Sequence, residues 1–273
     1  MCCIRYGAGE KAAADSTKCS IFTCRAIRFR TYRSRTFSDK AKEDSDPMIP
    51  RVLHYCWFGR GKKPPLVLRC IESWRRFAPD FTIMEWNEDN FDVNALPFAR
   101  DAYADKKYAF VSDYARGKIL WEQGGVYLDT DMQLLKPLEP FLADDFFAGF
   151  EPGDFVAAGI IGAGPGDPMV GEYLRYFETA VYWNEDGSRY SSSNVPMLTA
   201  LLEARGLRRD NTRQRLPGIS VYPSSVFYPL DYRTGKTRVQ EDTVTLHHYA
   251  ALWLPWYRRL RPQLKKLFRR LMP

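Results

Sequence analysis

Between Arg51 and Trp86 two short apolar runs flank one segment of helical period. Val52-Leu53-His54-Tyr55-Cys56-Trp57-Phe58 reads as a strand closed by Gly59, and Lys62-Lys63-Pro64-Pro65 as a loop. Leu66 to Phe77 then spaces Val67, Cys70, Ile71 and Trp74 along one helical face. Phe81-Thr82-Ile83-Met84-Glu85-Trp86 is a second strand, closed by the polar Asn87-Glu88-Asp89-Asn90. Strand, helix and strand in about forty residues make a βαβ unit, and such a unit builds a parallel pair. The chain is thereby directed to an α/β sheet with helices on its faces.

Further along, Ser112-Asp113 predicts a helix N-cap with an acid in the first turn. That helix runs through Ala115, Ile119 and Leu120 and stops at Gly124-Gly125. Val126-Tyr127-Leu128 starts a strand expected to run into Asp129-Thr130-Asp131. Strands over 146–150 and 155–161, helices over 168–182 and 195–204, and short late strands at 221–223 and 243–247 complete the pattern. No internal repeat is visible.

Composition narrows the function. No run of 18 apolar residues exists, so no transmembrane helix is expected. Six cysteines without regular spacing do not make a disulfide framework, which points to a reducing compartment. The net charge of +7 is unevenly spread: residues 1–47 carry +4, residues 257–273 carry +7, and the body between them carries −4. A nucleic-acid-binding domain holds its basic surplus on the folded body, so no nucleic-acid partner is expected.

The chemistry concentrates in Gly124-Gly125-Val126-Tyr127-Leu128-Asp129-Thr130-Asp131. In extended chain, side chains at i and i+2 share a face, which would present both carboxylates at a strand end, where α/β sheets place ligands. Two hard oxygen donors suit Mg²⁺ or Mn²⁺ completed by phosphate and water; a lone Asp-x-Asp is also compatible with a solvated turn. Upstream, Asp113 and Arg116 stand at i and i+3 on one helical face. They form either an ordinary ion pair or a joint grip on sugar hydroxyls or phosphate. Trp57 is a core residue or a stacking plate for a nucleobase. His54 reads as a core histidine, Cys56 and Cys70 as small buried hydrophobes, and Asn194-Val195-Pro196 as a helix start that could face an acceptor.

Ile49–Gly59, Glu85–Asp92, Lys107–Arg116 and Gly124–Asp131, in this order and spacing, resemble glycosyltransferase family 32, the sugar-transferring family with a DXD motif that includes capsular polysaccharide synthesis proteins. The resemblance extends to His247-His248-Tyr249 and Trp253, and so covers roughly residues 48–256. It implies a GT-A-type, Rossmann-like mixed sheet flanked by helices in a single catalytic domain. It also implies a nucleotide-sugar donor and retention of anomeric configuration. By similarity to this family and to its relatives among glucosylating clostridial toxins, Trp57 would lie near the base, and Asp113 and Arg116 would hold sugar hydroxyls. Asp129 would bridge ribose or sugar to the site, Asp131 would bind metal, and His247 or His248 with Trp253 would close over the diphosphate. The toxins carry a serine two positions before that tryptophan, where this chain has Ala251.

The expected catalytic set is Asp113, Arg116, Asp129 and Asp131. The expected nucleotide-sugar contacts are Trp57, Asp113, Arg116, Gly125, Tyr127, Asp129 and Trp253. The expected ligands of Mn²⁺ or Mg²⁺ are Asp129, Asp131, His247 and His248. The expected activity is transfer of a hexose from a nucleotide sugar, UDP-linked in the first instance, to a glycan or lipid-linked acceptor in surface polysaccharide or glycolipid synthesis. Two other classes fit parts of the pattern. A glycoside hydrolase would need two carboxyl groups facing each other across the substrate, which acids two apart on one strand do not provide. A carbohydrate-binding module would show no donor hydrolysis.

Three regions are expected. Residues 1–47 form a poorly structured leader from a mis-assigned start, since Met48-Ile49-Pro50 matches where family members begin. Residues 48–256 form the GT-A domain, and 257–273 a basic amphipathic helix with Leu260, Leu264, Leu267, Phe268 and Leu271 on one stripe. That helix is expected on an anionic membrane surface, which would make the protein cytoplasmic and peripheral on the inner face of the membrane.

Overall fold

The computed structural model describes residues 49–250; the leader, Trp253 and the basic segment 257–273 lie outside the described residues. The first half alternates as the sequence requires: β1 (Val52–Cys56), α1 (Pro65–Phe77), β2 (Thr82–Trp86), α2 (Pro97–Ala104), α3 (Tyr108–Gln123) and β3 (Gly125–Leu128). Next come β4 (Met132–Leu134), β5 (Phe146–Glu151), β6 (Phe155–Ala163), α4 (Pro168–Thr179) and α5 (Asn194–Glu203). The remainder is β7 (Gln214–Leu216), β8 (Ile219–Tyr222), α6 (Ser224–Phe227), β9 (Leu230–Asp231), β10 (Lys236–Thr237) and β11 (Thr245–His247).

Seven of these strands form one sheet in the order β2-β1-β3-β6-β5-β8-β7, the Rossmann-like mixed sheet flanked by helices that was expected. β1 runs parallel to β2 and β3, so the βαβ unit is present. β6 lies antiparallel between β3 and β5, and β8 is parallel to β5. Two reversals through β6 restore direction, so β1, β3, β5 and β8 all end at the same edge of the sheet. That edge carries the site.

Side-chain alternation along the strands separates two apolar cores. On β5, Phe146 joins the core under α2–α5, while its neighbour Phe147 joins the core with Trp74 of α1 and Phe227 of α6. Tyr127 of β3 goes to the first core, Val126 and Leu128 to the second. Each fully buried Phe adds about 2–3 kcal/mol of hydrophobic stabilisation. β4 sits outside the main sheet, paired antiparallel with β11 and bound to α1 through Trp74 Nε1, which donates to Met132 O at 2.7 Å.

Two features differ from the sequence pattern. α3 starts at Tyr108, not at Ser112, because Ser112 Oγ bonds back to Tyr108 O at 3.0 Å inside the helix instead of capping it. α2 was not anticipated: its N-cap is Leu96, with no side-chain cap bond, and Pro97 in the first turn is its one local signal.

The α3–β3 junction depends on His54. Fully buried in β1, its Nε2 donates to Gly124 O at 2.9 Å, and its Nδ1 accepts from Trp86 Nε1 at 3.1 Å. Gly125 has φ +102°, and a Cβ there would lie 2.7 Å from Val52 O and 2.9 Å from His54 Nε2, so only glycine fits. Burial pushes His54 down to about 4, keeping the ring neutral. The unfolded chain, with an ordinary histidine pKa, binds the extra proton first as pH falls, so stability should drop between about 6.5 and 4. The loss should reach roughly 3 kcal/mol. Chemical denaturation across this range should show it, and His54→Gln should flatten that segment of the profile.

Candidate active site

β3 ends at Leu128 and the chain turns at once. Asp129 N donates to Gly159 O at 2.8 Å, and Met132 N donates to Asp129 O at 2.9 Å, closing a turn over Thr130 and Asp131. The extended presentation expected for the two acids is therefore not formed. The chain must swing away from β6 to start β4, and Asp129 and Asp131 leave the turn toward different partners.

Asp129 meets Arg116. This guanidinium, 4% exposed, places Nη2 at 3.0 Å from Asp113 Oδ1 and 3.1 Å from Asp129 Oδ1, while Nη1 donates to Ala158 O at 2.7 Å. It lies over the Tyr127 ring, 4.6 Å from the centroid, and its Nε has no protein partner. The opposite faces of α3 and β3 thus meet on one buried cation. Asp113 Oδ1 also accepts from Asn194 Nδ2 at 2.5 Å, at the start of α5, and its carbonyl from Tyr173 Oη at 3.0 Å. Burial disfavours the charge on Arg116, but Asp129 and its other anionic neighbours outweigh this and hold it well above its ordinary pKa. Burial pushes Asp113 up to about 6 against the pull of Arg116. One cation between two carboxylates leaves an excess negative charge, well suited to accepting hydrogen bonds from sugar hydroxyls.

Asp131 meets the late segment. Its Oδ1 accepts from His247 Nε2 at 3.2 Å, its Oδ2 from Ala250 N at 2.8 Å, and its carbonyl from His248 N at 3.1 Å. Burial alone would raise Asp131, but His247 and the backbone donors outweigh it and hold the carboxyl below its usual range. Burial likewise opposes charge on His247, and Asp131 overcomes this and raises it. Tyr249 stacks on His247 at 4.0 Å, and His247 Nδ1 is buried without a protein partner.

The other expected residues divide by burial. Trp57, half-buried at the carboxyl end of β1, donates Nε1 to Gly61 O at 2.7 Å and lies on the same edge as Asp129. Tyr127 and Gly125 are buried: Tyr127 supports the Arg116 guanidinium from beneath, and Gly125 packs against His54. His248 turns its ring to Gln133 Oε1 at 3.0 Å, because adjacent residues at the end of β11 point to opposite sides, and only the His247 side chain reaches the Asp131 carboxylate. Two polar residues of the edge were not singled out from the sequence. Glu151 ends β5 as Asp129 follows β3, is pushed up by burial, and accepts from Tyr249 Oη at 3.4 Å. An acid directly after the apolar strand 146–150 was its signal. Tyr228 Oη accepts from Ile160 N at 3.0 Å and had no signal.

Among the described residues no three His, Cys, Asp or Glu side chains gather as a metal cluster. A Mg²⁺ or Mn²⁺ that keeps waters and takes phosphate oxygens needs only one or two protein carboxylates. Asp129 and Asp131 are the two carboxylates such a cation would take, each already sharing an oxygen with Arg116 or His247.

Residues 64–148 match the family described as glycosyltransferase sugar-binding region containing DXD motif. This segment is similar to the sugar-binding region of the DXD glycosyltransferases. It includes Asp113, Arg116, Asp129 and Asp131. The chain is 31% identical over 159 residues to an uncharacterized glycosyltransferase of Acanthamoeba polyphaga mimivirus, covering 54% of this chain and 61% of that protein. It is 30% identical over 127 residues to inositol phosphoceramide mannosyltransferase 1 of Schizosaccharomyces pombe, covering 41% and 38%. The chain thus spans less than two thirds of these curated relatives. Among solved structures it is similar to the apo glycosyltransferase GlyE of Streptococcus pneumoniae, with 12% identity, a TM-score of 0.47, and coverage of 80% and 64%.

The Asp131–His247 pair makes a direct expectation. NMR titration should place the His247 midpoint above 6.5, and Asp131→Asn should lower it, because burial then acts with less opposition. An unchanged midpoint would show that the pair is not formed.

Proposed function

We propose that this chain is a retaining glycosyltransferase. It moves a hexose from a nucleotide sugar, UDP-linked in the first instance, to a glycan or lipid-linked acceptor, with a divalent cation held at Asp129 and Asp131. The observation that carries this is the Arg116 bridge between Asp113 and Asp129, placed beside the Asp131–His247 pair at the carboxyl edge of the sheet.

Each group has a task in that reaction. Asp113 and Asp129, fixed by Arg116, accept hydrogen bonds from donor hydroxyls and stabilise the oxocarbenium-like charge that grows at the anomeric carbon. His247, whose pKa Asp131 raises against the effect of burial, faces the developing negative charge of the leaving diphosphate. The bound cation would supply further charge neutralisation there. Trp57, on the same edge, offers a flat face for the base. In this proposal the acceptor hydroxyl attacks on the same face as the departing phosphate, with Asp129 engaged by Arg116 rather than acting as nucleophile. A glycoside hydrolase is less consistent with the geometry, since Asp129 is held by Arg116 and Asp131 by His247 and Ala250. The basic 257–273 segment is retained as a contact with an anionic membrane surface, and a cytoplasmic, membrane-peripheral location follows from that; sequence charge alone supports both.

Nucleotide release from a panel of nucleotide sugars should require Mn²⁺ or Mg²⁺ and stop with a chelator. Asp129→Asn and Asp131→Asn should each lower kcat by at least ~100-fold with the fold retained. Turnover should fall as pH drops below about 6, where Asp113 protonates and releases its hold on Arg116. Chelator-resistant release in the double variant would remove the cation from the proposal, and an inverted product anomer, seen by NMR, would remove retention.

A further inference from the structure

One cavity takes no part in the site described above. A cleft of about 630 Å³ opens between the turn joining β5 to β6 and the β9–β10 hairpin, within the range of small-ligand sites. Gly153 and Asp154 form one wall. Ser224 and Ser225, just past the end of β8, line it beside Tyr228. Since β5 and β8 run in the direction of β3, the cleft lies on the same carboxyl edge as Asp129.

Two contacts tie the cleft to the reaction centre. Tyr228 lines it and also packs its ring at 5.7 Å from His247. The Tyr232 ring of the hairpin lies tilted against Tyr249 at 4.9 Å, and Tyr249 lies tilted in turn against His247. The lining is rich in hydroxyl and amide groups, including Thr234, Asn211 and Gln240, which match the hydroxyls of a sugar. Its charge is positive. Arg233 is paired with Asp231 at 3.1 Å, leaving exposed Lys236 and Arg238 against one further carboxylate, Asp154, on a body whose net charge is −4.

We propose that this cleft is the acceptor subsite and that it takes a sugar bearing an anionic group, a phosphate or a carboxylate. The assignment rests on the glycosyltransferase reading above. A neutral sugar would find hydrogen bonds here but leave Lys236 and Arg238 without a partner anion.

Titration calorimetry on the full chain, with UDP present to fill the donor site, tests this with glucose 6-phosphate, glucuronate, glucose and inorganic phosphate. The anionic sugars should bind about tenfold tighter than glucose, and Lys236→Ala/Arg238→Ala should abolish that difference. The double variant should keep its UDP affinity and thermal midpoint, since both side chains are exposed. Preference for glucose 6-phosphate or for glucuronate alone would support the proposal and fix the anion as phosphate or carboxylate. Equal binding of glucose, of inorganic phosphate, or by the double variant would overturn it, as would no binding of any sugar. If the wild-type chain fails to bind UDP and to hydrolyse any nucleotide sugar, the glycosyltransferase reading falls instead.

Discussion

A single buried guanidinium organises this molecule. Arg116 touches Asp113 on its own helix, Asp129 after β3, Ala158 on β6 and the face of Tyr127, so α3, β3 and β6 are registered against each other by one charge. Through Asp113 the same network reaches Asn194 at the start of α5. Without this cation the buried Asp113 carboxylate would carry an uncompensated desolvation cost, and the partly exposed Asp129 would lose its link to α3.

The second half of the site is assembled over a longer range. Asp131 draws in His247 and Ala250, more than a hundred residues later, and β11 is held to β4 in register by the same approach. Glu151 and the cleft beyond it occupy the ends of β5 and β8, brought to the edge by the reversals through β6. Donor-facing and cleft-facing groups therefore share one sheet edge, linked by His247, Tyr249 and Tyr232.

What the sequence made legible was what local spacing determines. The βαβ unit followed from apolar periodicity, and the Asp113–Arg116 pair from its i, i+3 spacing on α3. The Asp-x-Asp was legible in the sequence, but its geometry was not. Alternation assumes an extended chain, and the turn closed by Met132 N depends on β4 leaving the sheet, a tertiary event. Nor does proximity in the motif reveal that Gly125 packs against His54 and that Tyr127 lies beneath Arg116. Choosing His247 over His248 required the β11–β4 pairing, and Tyr228 has no neighbour in sequence that hints at Ile160.

The stability of Arg116→Met compared with Arg116→Met/Asp113→Asn/Asp129→Asn tests most directly whether one cation holds this network. Chemical denaturation should show the single variant losing roughly 3–5 kcal/mol, because Asp113 is left buried without its counter-charge and Asp129 loses its partner. The triple variant should recover most of that loss. A single variant as stable as the wild type, or a triple variant no more stable than the single, would contradict the role assigned to Arg116.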